Sequence, residues 1–221
     1  MLKAMRHHAK YLYFLFFIVI LSFIFWGVGT VDQSSNAQII AEVGKQKISA
    51  QDYGRVYDNY YKFYRDLYKD KFDEEMQKKL NLKDKAIETL IGQTILLIAA
   101  EENGVKVSDS EVKEAILNEP AFTRDGVFDS EIYQNTLRLS RLTPALYELN
   151  KREELIIQKM SRLIQTAAIT PDADFANISA DEQTKKMIRD AMTKDAAEKV
   201  LRSYIEGMKK KLKVKINTEL L

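Results

Sequence analysis

The chain has 221 residues, with 34 Lys and Arg against 32 Asp and Glu, and no cysteine. Disulfide stapling is therefore excluded. Three of the bases fall in the first ten residues with no acid among them, which leaves −1 for the remainder and no footprint for nucleic acid.

Tyr11 to Val31 is a run of 21 residues without a charge, bounded by Lys10 and Asp32. As a helix rising about 1.5 Å per residue it measures about 32 Å, close to the hydrocarbon thickness of a bilayer. Tyr11 and Tyr13 at one end and Trp26 at the other suit the two membrane interfaces, and Lys3, Arg6 and Lys10 direct the N-terminus to the cytosol. A cleavable signal peptide is the competing reading. Ser35-Asn36-Ala37 offers small residues at a suitable spacing, but signal h-regions run only about 7–15 residues. The run is read as a retained transmembrane anchor at 11–31, after a cytosolic 1–10 and before a linker at 32–38. Residues 39–221 then form one exported body.

Within that body, IIAEVGKQKIS (39–49) predicts two short strands around a Gly44-Lys45 turn. Ser49 with Asp52 resembles a capping box, with Asp replacing the usual Glu, and apolar residues at helical spacing follow to position 68. A second helix is expected over Leu82–Glu102, with Ala86, Ile87, Leu90, Ile91, Ile95 and Ile98 as its face and Asn103-Gly104 as its stop. Ser108-Asp109-Ser110-Glu111 caps a third helix that must end before Pro120. Phe122–Phe128 reads as a loop around Asp125-Gly126, and residues 130–140 as a fourth helix. Thr143-Pro144 starts a fifth that runs to about Thr166. The closing part, about 181–217, is a long helix ending near Lys211 and a strand, LKVKIN (212–217). Its alternating Leu212, Val214 and Ile216 need a partner, and Ile39–Val43 is the expected one, since a lone strand leaves its backbone unpaired. The lysines of MKKKLKVK (208–215) read as a solvated helix end.

Catalytic chemistry has little to work with. His7 and His8 are the only histidines and lie before the apolar run, so the body lacks the residues of the usual triads and most zinc sites. No phosphate-cradling glycine loop is present. No cofactor, metal or catalytic residue is expected, although an enzyme that uses only carboxylates stays open as a third reading.

The ordered series IIAEVGKQKISAQDY and AIETLIGQTILLIAAEENGVKVSDSEVKEAILNEPAFTRDGVFDSEIYQNTL resembles the N-terminal chaperone region of the SurA/PpiD group of periplasmic folding factors. LRSYIEGMKKKLKVKIN resembles the closing helix and strand of that fold. The resemblance implies a mainly α, SurA-like domain with a small β element joining the two ends of the body. It also implies an inner-membrane location with the body in the periplasm. That group usually carries parvulin-type prolyl isomerase domains before the closing helix. Here the interval is QTAAITPDADFANISADEQ, too short for a folded domain of about 50 residues or more.

The function implied is an ATP-independent chaperone for unfolded or newly exported polypeptides, without isomerase activity. Association with the export machinery is a further expectation. The alternative is a structural partner that docks one fixed envelope protein. For the client surface the candidates are Tyr60, Tyr61, Phe63 and Tyr64, from the eight aromatics between Tyr53 and Phe72. Those eight cover about half the helix circumference, more than a core-facing stripe of somewhat over 100° needs. Either two neighbours bury the whole arc or part of it stays exposed to clients.

Overall fold

The computed structural model describes residues 38–168 and 181–220. The expected span at 11–31, with Tyr11, Tyr13 and Trp26, and the linker at 32–37 lie outside them. Among the described residues no helix is long and apolar enough to cross a membrane.

Strands β1 (Ile39–Val43) and β2 (Gln46–Ser49) pair antiparallel about a turn in which Gly44 takes φ +61. Ser49 caps α1 (Ala50–Tyr68), its hydroxyl oxygen accepting from the Asp52 N–H. The expected capping box is incomplete. Asp is one methylene shorter than Glu, and its carboxylate accepts chiefly from the Ser49 hydroxyl, at 2.6 Å. Helix α2 (Glu74–Leu80), capped by Asp73, is an element that the sequence pattern did not reveal. Its seven residues are too short to show a period.

Helix α3 (Leu82–Glu102) is the axis of the body and touches α1, the sheet and two later helices. The expected single face is only half of its buried surface. Ile87, Ile91 and Ile95 meet β1 and β2, while Leu96, Ala99 and Ala100 pack on Met160 and Ile164. A helix enclosed on opposite sides has no clean amphipathic stripe, so periodicity understates its burial.

Helix α4 (Asp109–Leu117) carries the full capping box between Ser108 and Glu111. The expected loop at 122–128 is a minimal hairpin of β3 (Thr123–Arg124) and β4 (Val127–Phe128). Asp125 and Gly126 both have positive φ, as a tight primed turn requires. Helices α5 (Ser130–Leu139) and α6 (Pro144–Gln165) follow, capped by Asp129 and Thr143. Helix α7 (Glu182–Lys211) returns along α6 and α3.

After α7 the chain closes the sheet. Strand β5 (Lys215–Ile216) pairs with β1 through Ala41 opposite Ile216 and Glu42 opposite Lys215, giving the order β2-β1-β5. The partner is the expected one, but the strand is shorter than 212–217. Leu212 caps α7 and turns into the core, and Lys213 then adopts φ +52 before the chain can extend. Leu212, Val214 and Leu220 pack around the short strand, so side-chain burial secures what two backbone pairs hold weakly.

Candidate functional site

Capping accounts for most of the shifted carboxylates. Glu111 is drawn down to about 2, first by Lys159 and then by the Ser108 N–H and hydroxyl. Asp129 and Asp181 are lowered chiefly by the backbone N–H groups they accept from at helix starts. Burial pushes Asp52 up, but Ser49 and Arg55 together pull it below its ordinary value. All four of these carboxyls are shifted downward, the reverse of what a general acid requires, and among the described residues no group of His, Cys, Asp or Glu could hold a metal.

Between α1 and α6 lies an open cleft of about 1060 Å³. Leu90, Gln93, Thr94 and Leu97 of α3 form its floor. One wall is α1, with Val56, Asn59 and Lys62, and the opposite wall is α6, with Glu153, Ile157 and Gln158. Leu139 and Leu142, at and after the end of α5, complete that second side. Leu139 is 80% exposed, a large apolar side chain on the rim. The cleft exists because α3 holds α1 and α6 apart: both contact α3 extensively and neither fills the gap.

The four residues singled out from the sequence point in different directions. No residue of α1 is fully buried, although Tyr53 at its start packs against the core of the sheet and α3. Tyr60 lies against α3, its hydroxyl 2.9 Å from the Thr89 Oγ1. Tyr64 also faces α3 and accepts from Lys85 Nζ at 3.2 Å, with that ammonium 5.1 Å from its ring centroid. Tyr61 turns the other way and meets Phe72 edge-on, ring centroids 5.1 Å apart. Phe63 is 61% exposed. It follows Val56 by seven residues and so extends the row of α1 that walls the cleft. Tyr53–Tyr57, Tyr57–Tyr61, Tyr60–Tyr64 and Tyr64–Tyr68 form an i,i+4 ring ladder that steadies the helix.

Sequence reasoning did not find the cleft wall. Asn59, Lys62, Glu153 and Gln158 are ordinary surface residues of two helices, and no periodicity marks them as facing each other.

A family model described as SurA-like N-terminal domain matches residues 1–161. The chain belongs to that family. Its match ends within α6, so α7 and β5, which complete the sheet, lie beyond it. The periplasmic chaperone PpiD of Haemophilus influenzae is 24% identical over 212 residues, covering 87% of this chain and 34% of the relative. PpiD of Escherichia coli K12 is 24% identical over 182 residues, covering 80% and 29%. The chaperone SurA of Idiomarina loihiensis is 37% identical over 92 residues, covering 41% and 21%. The chain thus spans about a third of the length of its PpiD relatives.

Proposed function

We propose that this SurA-like body is an ATP-independent chaperone module that holds unfolded or newly exported polypeptides in the cleft between α1 and α6. The observation that carries this is the cleft itself, open to solvent, with Val56, Leu90, Leu97 and Ile157 interspersed among its polar residues and exposed Leu139 on its rim, while exposed Phe63 stands on the same row of α1 as Val56. Large apolar side chains at the edge of a hydrated groove suit weak, sequence-tolerant contact with extended chains. Tyr60, Tyr61 and Tyr64 lie outside the lining of the cleft, Tyr60 and Tyr64 against α3 and Tyr61 against Phe72, and would add to client contact through their ring edges. The names of the relatives support a chaperone role, and residues 11–31 would anchor the body on the periplasmic side of the inner membrane. Holding requires no isomerase, and only residues 166–181 separate α6 from α7.

The test is suppression of aggregation of several unrelated unfolded proteins, without nucleotide, combined with site-specific crosslinking from positions 63 and 139. Protection at near-stoichiometric ratios, with crosslinks to each client, supports the reading. A single tight complex with one envelope protein and no protection of the others overturns it. Prolyl isomerisation above background by the pure chain would contradict the binding-only mechanism.

A further inference from the structure

The sequence reads the lysines of 208–215 as a solvated helix end, but the fold gives them neighbours. Leu212 seats against Gly44, which brings the end of α7 beside the β1–β2 turn. Glu42 of β1 stands directly between Lys47 of β2 and Lys215 of β5, so these three side chains share one face of the sheet. Lys45, Lys47, Lys210, Lys213 and Lys215 are all exposed, and none forms an ion pair among the described residues. Lys209 and Lys211 of the same run are paired, to Glu88 with Glu206 and to Glu102. Residues 39–49 and 210–220 together hold six lysines against Glu42 and Glu219, a net of +4, which leaves −5 for the rest of residues 11–221. The body is therefore polarised, with its positive pole at the sheet.

That pole is also where the chain enters the body. Seven residues, 32–38, separate Val31 from Ile39, a reach of about 25 Å at full extension. We propose that the lysine face docks the body onto the anionic phosphodiester headgroups of the bilayer in which residues 11–31 are anchored, an inference that rests on the anchored reading above. The tether keeps the local headgroup concentration high, so individually weak ammonium contacts suffice. Contact must be close, because charges are screened beyond about 8–10 Å at physiological salt. Lys47 and Ile48 also line the cleft. Docking by this face therefore sets one end of the cleft at the membrane surface.

The test uses the full chain, which has no native cysteine. A fluorophore on a single Gln46→Cys substitution reports energy transfer to headgroup-labelled lipid. The chain is reconstituted in phosphatidylcholine vesicles, alone or with phosphatidylglycerol admixed. Transfer is expected to rise severalfold with phosphatidylglycerol. It should return to the phosphatidylcholine level in high salt, and in a Lys45→Gln, Lys210→Gln, Lys215→Gln variant whose helical circular dichroism and melt match the parent. Equal transfer in both lipids overturns the proposal, as does a variant that responds like the parent. A face used instead by an acidic polypeptide would give that lipid-independent result. A chain that floats with neither vesicle fails the anchored reading itself, whereas one that floats with both and ignores phosphatidylglycerol fails the docking alone.

Discussion

Gly44 donates its N–H to the carbonyl of Leu212 at 3.2 Å, and a Cβ at Gly44 would stand 3.3 Å from the Leu212 Cδ2. This contact joins the two ends of the described body and buries Leu212 against β1 and α3. Both the positive φ and the close approach require glycine here. Gly104, at φ +67, has the same backbone demand but open space around it. Gly44→Ala should therefore cost more than Gly104→Ala, about 2–3 kcal/mol against about 1. Equal losses in denaturant melts of the two variants would show that Leu212 yields freely.

Removal of everything after Lys211 strips β5, Leu212, Val214 and Leu220 from the same end. With several partly buried apolar side chains gone and β1 left with an open edge, stability should fall by about 3 kcal/mol or more. A melting temperature unchanged by the truncation would mean that β1 and β2 hold their place on α3 unaided.

Acid should loosen the start of α4. Lys159 Nζ lies 2.5 Å from Glu111 Oε1, and the Glu111 carboxyl is drawn from 4.5 to about 2. The folded value lies below the unfolded one, so this contribution is fully present above about 4.5 and is lost as pH falls toward 2. Glu111→Gln should melt below the parent at neutral pH, with the gap closing through that window. A gap constant from neutral pH to 2 would place the loss in packing instead.

On the proposed client surface, Phe63→Ser with Leu139→Ser removes two exposed apolar side chains, so the melt should shift by no more than about 0.5 kcal/mol per site. Client holding should weaken about tenfold, the effect of losing about 1.4 kcal/mol of apolar contact. Thr89→Val, which removes the partner of the Tyr60 hydroxyl, should instead cost about 1 kcal/mol of stability and leave client affinity in place. The opposite pattern, a collapsed melt with full client binding, would move the site off this cleft.

For residues 11–31 the expected result is an intact N-terminus in the membrane fraction and a body open to protease only from the periplasmic side. A soluble mature chain beginning at Gln38 would refute the anchor.

The helix starts were legible in the sequence because capping is local chemistry. Ser49, Ser108 and Thr143 each accept from an N–H within three residues, and that geometry is written in the order of the side chains. The span of α3 and the partner of β5 were equally readable, the first from its apolar length and the second from a strand that could not remain unpaired. What stayed hidden depends on which helix faces which. Tyr60, Tyr61, Phe63 and Tyr64 are close neighbours in sequence, yet contacts with Thr89, Phe72 and Lys85 send them to different sides. The cleft needs α1 and α6 held apart on α3, and the lysine pole needs residues 47 and 215 on one sheet. The sequence by itself determined the elements, their caps and the closure of the sheet, because short-range hydrogen bonding and apolar periodicity are local. Only the tertiary structure decided which surfaces remain open, because exposure depends on the packing of distant segments.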